Sequence, residues 1–258
     1  MPFHDMLNHG VMSDSIGVPM AAMPYRPSAE PGAGTHCAGC AARHIGLCDA
    51  LVDIDLPELA AAAQWRTIRR GALLMTEGDP ARYFFNINHG TAKVYRDLPD
   101  GRRQITGFVT AGYFVGLGMP ANYSASVEAL EDVRLCRFDR LTLRALFVTF
   151  PSLERKLLIA TGNELLIAQA QMLLLGRKSA LERLATFLLA WIEPASPAGT
   201  RLPMGRSDIA DYLGLTIETV SRNFTILRQR RLIAISTEQE ITIVNCAGLT
   251  GIAIGAAA

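Results

Sequence analysis

Residues Met204 to Arg231 read MGRSDIADYLGLTIETVSRNFTILRQRR, and they decide the C-terminal fold. Ser207 to Leu213 predicts one short helix, Gly214 a tight turn, and Thr216 the start of a second helix, which is a helix-turn-helix pattern. Gly214 supplies the φ > 0 that the turn needs. Ala210 is small enough for close helix approach, while Ile209, Leu213, Val220 and Leu227 form the apolar faces. With Thr216 as N-cap, Glu218, Thr219, Ser221 and Arg222 fall in the first two turns, where a recognition helix meets base edges in the major groove. Their chemistry suits that task, since Arg222 can donate two hydrogen bonds to guanine, Glu218 can accept from the cytosine amine and Ser221 can serve several bases. From Glu218 to Arg231 four arginines, Arg228 and Arg230 among them, face one acid, which gives local attraction for phosphates. A generic helical hairpin with a solvated arginine face is the bland alternative. The alternation IAIS and EITIV around TEQE, between Leu232 and Val244, predicts the β hairpin of a winged domain.

Working towards the N-terminus, Ala180 to Ile192 reads as an amphipathic helix that leads into a Pro/Gly stretch, Pro194 to Gly199. Before it, Leu158, Thr161, Leu165, Ala168, Met172 and Leu175 follow at steps of 3, 4, 3, 4 and 3, a coiled-coil seam that Gly176 is expected to end. A core-facing helix produces the same stripe. Between Thr67 and Phe138 short runs such as YFFNI, TAKVYR and QITGFV are punctuated by EGD, NHG, PDG and AGYF, the texture of an antiparallel β sandwich or roll. Pro99-Asp100-Gly101 predicts a hairpin, because Pro presets φ and Gly accepts φ > 0. Ile54 to Trp65 is Ala-rich and predicts a helix, with Asp55 as N-cap and Pro57 in the first turn. Residues 1 to 35 mix Met, Pro, Gly and Ser without period and predict a disordered leader.

With 50% hydrophobic and 19% charged residues, the 258-residue chain can bury a core and is not disordered. Its 25 basic and 24 acidic residues create no global field towards a polyanion, so any such site is local. The positive excess lies from Gly176 onward, 9 basic against 7 acidic, compared with 16 against 17 before it. The most apolar window, Leu157 to Leu175, is interrupted by Asn163, Glu164, Gln169 and Gln171 and falls short of the roughly 18 apolar residues of a span. No secretory signal is legible either, so a cytoplasmic protein without a membrane partner is expected.

Five cysteines in a reducing compartment read as ligands or free thiols rather than disulfides. Cys37, Cys40 and Cys48 form a C-x2-C-x7-C cluster in HCAGCAARHIGLC, three soft ligands within twelve residues, which suits zinc or an iron–sulfur cluster. Either usually takes four ligands. Cys136 and Cys246 are the remaining cysteines, with the β-domain position preferred because it can pack beside the leader; His36 and His44 compete. A lone cysteine is ordinarily a small buried hydrophobe, the reading given to Cys246. Spacing does not separate zinc from iron.

Taken together, the cysteine cluster, the EGD-to-GYFVGL β segment, Cys136, MLLLGRKSALERLA and DYLGLTIETVSR resemble the CRP/FNR transcription regulators, and among them the FNR-like oxygen sensors of the FnrL/FnrN type. The likeness spans roughly Cys37 to Gly248. It implies an α+β chain: a leader (1–35), a cysteine cluster with an N-terminal β-roll sensor domain of the cyclic-nucleotide-binding jelly-roll type (36–138), a long dimerisation helix region (139–176), and a C-terminal winged helix-turn-helix domain (177–258). It also implies a [4Fe-4S] cluster on Cys37, Cys40, Cys48 and Cys136, and a homodimer paired through Leu158, Thr161, Leu165, Ala168, Met172 and Leu175. The dimer would bind double-stranded DNA resembling TTGAT, a short spacer and ATCAA, and would contact RNA polymerase. Glu218, Ser221 and Arg222 match the family's base-reading E-x-x-S-R. Cyclic-AMP receptors of this superfamily grip ligand with Gly-Glu and Arg-Ser pairs; here Leu117 and Gly118 follow Gly116, and NYSASVEAL has no arginine near Ser124 or Ser126. A buried cyclic phosphate would lack its counter-charge, so no cyclic nucleotide is expected. Outside this reading stand a zinc-stabilised or constitutive FixK-like regulator, and an enzyme, for which no nucleophile–base pair or nucleotide loop is legible.

Overall fold

The computed structural model describes residues 37, 40–116, 121–192 and 199–256. The expected leader 1–35, His36, Leu117, Gly118 and most of the Pro/Gly stretch lie outside them. The chain divides into two compact units, one ending at Gly162 and the other beginning at Asn163.

In the first unit eight strands form two antiparallel sheets. One runs β1 (Ala63–Ile68), β8 (Val133–Asp139), β3 (Tyr83–His89), β6 (Phe114–Val115); the other runs β2 (Leu73–Met75), β7 (Ser126–Ala129), β4 (Ala92–Asp97), β5 (Arg103–Val109). The hairpin at Pro99-Asp100-Gly101 joins β4 to β5, and Gly101 has φ +86. Because side chains alternate across a strand, the first sheet has two apolar faces. Phe85, Ile87, Val115, Val133 and Leu135 meet Ala92, Val109, Val127 and Ala129 of the second sheet. Phe84, Phe114, Cys136 and Phe138 point the other way, into a second core closed by the cysteine segment, Leu56 and Leu59 of α1 (Leu56–Ala62), Leu143 of α2 (Arg140–Thr149) and Leu153 of α3 (Pro151–Arg177). Asp139 starts α2, its Oδ1 accepting from the Leu141 and Thr142 N–H groups at 2.9 and 3.2 Å.

Three expectations are corrected. The Ala-rich run does not stay helical to Trp65: α1 ends at Ala62, and Ala63 onward pairs with β8, Trp65 opposite Cys136, so strand pairing overrides alanine's helix propensity. Asp55 occupies the N-cap position but its side chain makes no cap bond. Gly176 does not end α3, which runs on to Arg177. The chain breaks at Ser179, which caps α4 (Ala180–Trp191) in a reciprocal capping box with Glu182.

The second unit packs α4 against α5 (Arg206–Leu213), α6 (Ile217–Gln229) and α7 (Cys246–Ala253), with a three-stranded sheet β10 (Ile233–Ile235), β11 (Glu240–Ile243), β9 (Thr200–Arg201) at its side. Its interior is Leu184, Phe187, Leu188, Ile209, Leu213, Val220, Phe224, Leu227, Ile241 and Leu249, all buried. Gly214 sits at φ +61 between α5 and α6, as the turn demands.

Candidate metal centre and nucleic-acid interface

The segment from Cys40 to Leu51 lies on the outer face of the first sheet as a chain of tight turns that ends in a 3-10 turn, Leu47–Ala50. Such a segment has no ladder to satisfy its carbonyls, and Arg43 does so from inside. Its buried guanidinium donates to the carbonyls of Cys48 (2.5 Å) and Leu51 (2.8 Å) and to Asp53 Oδ1 (2.8 Å). Cys48 is thereby held in the apolar core that also contains Cys136, with Cys37 packed against it. Asp49 accepts from Lys156 Nζ of α3 at 2.7 Å, and Leu153 and Leu157 of α3 join the same core.

The four cysteines are electrostatic neighbours. Burial raises the Cys48 thiol to about 12, with charge on Cys40 and Cys37 adding to it. Burial likewise raises Cys136 to about 12, against a hydrogen bond from Asn88 and with Cys48, Cys40 and Cys37 adding. Cys37 and Cys40 are raised too, chiefly by burial. At neutral pH the free site is therefore four thiols. Four anions in this apolar setting become tolerable only against a multiply charged soft cation that displaces the protons. An all-sulfur donor set beside buried amide donors and Arg43 fits such a group. Among the described residues no three His, Cys, Asp or Glu side chains converge as ligands of a single ion. His44 is exposed, and Cys246 is exposed at the start of α7 in the other unit.

On the second unit, Thr216 Oγ1 accepts from the Thr219 N–H at 3.3 Å and starts α6. Glu218, Ser221, Arg222, Arg228 and Arg230 are exposed and Thr219 half-buried, while Val220, Asn223, Phe224 and Leu227 turn inward. Arg222 Nη2 donates to Thr219 Oγ1 at 3.3 Å. The Glu218 carboxyl is held below its ordinary value first by its own N–H, then by the Thr216 hydroxyl and Arg222. It is an anion, as accepting from a cytosine amine requires. β10 and β11 pair antiparallel as the wing.

On α3, Leu158, Leu165 and Met172 are 73%, 60% and 64% exposed, and Thr161 and Ala168 are exposed beside them; Leu175 is half-buried. By length and composition alone this helix could cross a membrane, its most apolar window having mean hydropathy 1.3, which tempers the exclusion drawn from its polar interruptions. In the roll, the Tyr123 hydroxyl accepts from the Tyr83 N–H at 3.1 Å and donates to the Tyr83 carbonyl at 2.8 Å, and Ser126 Oγ accepts from the Glu77 N–H at 3.0 Å.

Several residues escaped the sequence reading. Arg183 donates to the carbonyls of Leu175, Lys178 and Leu213 and ties the end of α3 to the helix-turn-helix. Arg206 stacks 3.2 Å over the Phe224 ring. Asn86 and Asn88 lie among the cysteines; their signal, two amides at i and i+2 in an apolar strand, was available.

A cyclic nucleotide-binding domain model matches residues 65–150, and a Crp-like helix-turn-helix domain model matches 182–252. The nitrogen fixation regulation protein FixK of Bradyrhizobium diazoefficiens is 38% identical over 78% of this chain and 87% of its own. The transcriptional activator protein FnrA of Stutzerimonas stutzeri is 35% identical over 86% and 93%. The solved structure of FixK2 from Bradyrhizobium japonicum superposes with a TM-score of 0.68 at 36% identity, covering 74% of this chain and 96% of that one.

Proposed function

This chain belongs to the CRP/FNR family of transcription regulators, sequence-specific DNA-binding activators rather than enzymes, and from that premise we propose that it is an oxygen-responsive member whose DNA binding depends on a [4Fe-4S] cluster. One observation carries the reading: Cys37, Cys40, Cys48 and Cys136, separated by up to 99 positions, are neighbours at one site, Cys48 and Cys136 buried in a single apolar core and Cys37 and Cys40 half-buried. Cys37, Cys40, Cys48 and Cys136 would hold the cluster, which would supply the sensitivity to oxygen.

The protein's own residues do the rest. Arg43 holds the turns that present Cys48. Lys156, Leu153 and Leu157 join those turns to the start of α3, the helix whose exposed stripe Leu158, Leu165 and Met172 pairs two copies as a homodimer. The dimer presents two α6 helices to successive major grooves, with Glu218, Ser221 and Arg222 on base edges, Thr219 beside them, and Arg228 and Arg230 on phosphates. The target resembles TTGAT and its inverted repeat, and bound dimers contact RNA polymerase in the cytoplasm. No cyclic nucleotide takes part in this reading, because NYSASVEAL carries no arginine near Ser124 or Ser126 to meet a buried cyclic phosphate.

The likeness to FixK favours a second reading, a regulator that does not sense oxygen and whose cysteines are vestigial or hold zinc. Iron and sulfide analysis of anaerobically purified protein separates the two. The cluster reading requires bound iron and sulfide in wild type and in Cys246→Ser, and their loss in Cys136→Ser. Zinc alone, or a cluster that survives Cys136→Ser, overturns it.

A further inference from the structure

Strand β3 carries Tyr83, Phe84, Phe85, Asn86, Ile87 and Asn88 in succession, and alternation sends Phe84, Asn86 and Asn88 to the outer face with Cys136 and Phe138. The register sets Asn86 directly opposite Cys136. Both amides are deeply buried, 1% and 5% exposed, on a face whose other buried members are phenylalanine, leucine and cysteine, with Trp65 packed beside them. Asn88 Nδ2 points at Cys136 Sγ, 3.1 Å away. Asn86 Nδ2 lies 3.4 Å from Asn88 Oδ1 and 4.0 Å from Cys48 Sγ, while its Oδ1 is buried without a hydrogen-bond partner.

We propose that Asn86 and Asn88 are positioning residues that donate N–H···S hydrogen bonds to the thiolates of Cys48 and Cys136, and so hold the negative charge of a sulfur-ligated iron cluster against the apolar sheet. This rests on the cofactor reading above. The physical argument is one of imbalance. Buried amides that lack full partners destabilise a fold, and apolar residues of similar size would fill this face at lower cost. A neutral thiol is only a weak acceptor and returns little. A thiolate is charged, and hydrogen bonds to charged groups are about twice as strong as neutral ones, so the pair becomes favourable when the sulfurs are metal-bound anions. Gly46 shows how closely the loop is fitted over these amides, since a Cβ there would stand 3.0 Å from Asn86 Oδ1. Donors to cluster sulfurs raise its reduction potential, so these amides make the cluster harder to oxidise.

The test uses the full-length protein reconstituted anaerobically, with Asn88→Leu and Asn86→Leu, which keep side-chain bulk without the donor, and Asn88→Ser, which keeps a shorter one. The Leu variants are expected to bind the wild-type content of iron and sulfide, to show a more negative midpoint potential, and to bleach in air about tenfold faster, the loss of one charge-assisted hydrogen bond. Asn88→Ser should fall between. Exchange into D2O should shift the iron–sulfur stretching bands of wild type more than those of Asn88→Leu, which a purely structural role would not produce. Loaded Leu variants with wild-type potential, bleaching rate and deuterium shift overturn this inference alone. Wild type that takes up no iron overturns the cofactor reading and this inference with it. Should Asn88→Leu hold no iron, Asn88→Ser decides, and a wild-type potential and bleaching rate in that variant refute the proposal.

Discussion

Replacing Arg43 by Met tests whether the cysteine turns are held from within. Methionine retains much of the apolar stem, so the loss falls on the guanidinium. Two buried carbonyls, those of Cys48 and Leu51, are left without their donor, at about 1 to 3 kcal/mol each. The third bond contributes less, because the Asp53 side chain is 92% exposed and exposed ion pairs are worth about 0 to 1 kcal/mol. A loss of about 3 kcal/mol in the ordering of this segment follows, and at about 1.4 kcal/mol per decade its opened population rises roughly 100-fold. Unfolding of a two-unit chain gives no single well-defined free energy, so amide hydrogen exchange is the assay. The N–H groups of Gly46 and Leu51, which donate to Ala42 and Cys48 within the segment, should lose protection by that factor while β3 and β8 keep theirs. Protection at Gly46 and Leu51 within about threefold of wild type would refute the reasoning.

Arg222→Ala should cost about 1 to 3 kcal/mol per half-site on specific DNA and little on random sequence, whereas Arg230→Ala should weaken both alike and reduce the salt dependence; binding isotherms on the two DNAs at several salt concentrations check this. Leu165→Glu, which places like charges in the α3 seam, should shift the sedimentation of the loaded protein towards monomer, and Glu164→Ala should leave the dimer as tight or tighter. For the metal-free protein the thiols fix a pH dependence. Folded Cys48 and Cys136 titrate at about 12 and the unfolded residues at 9.0. The unfolded chain therefore sheds protons first, so stability is constant below pH 9 and falls as pH rises from 9 towards 12. A melting temperature of the cysteine-bearing unit that is flat across that window, and equal in Cys48→Ala, would contradict the buried site.

The helix-turn-helix was legible because local rules set it: a threonine cap, a glycine at φ +61 and apolar spacing that packs α5 on α6. The wing and the β4–β5 hairpin followed from alternation and turn chemistry in the same way. Where tertiary contacts decide, the sequence misled. Ala63 to Trp65 have helix-forming neighbours but pair with β8, and Gly176 is passed because α3 is tied at its end by Arg183. Asp139 caps α2, a helix that the sequence reading did not separate from the long helix region after it. At the candidate site, counting soft ligands found the cysteines, but the roles of Arg43 and the two asparagines depend on which carbonyls and sulfurs face them. That is a property of the folded sheet face and not of spacing.

The central claim meets its most direct test in a single preparation: anaerobically purified wild-type protein titrated onto a TTGAT-type palindrome before and after exposure to air, with iron and sulfide measured on the same samples. The account requires tight binding with about four irons and four sulfides per chain, and loss of both cluster and specific binding in air. Equal specific affinity before and after air, with iron absent or unchanged, would contradict it.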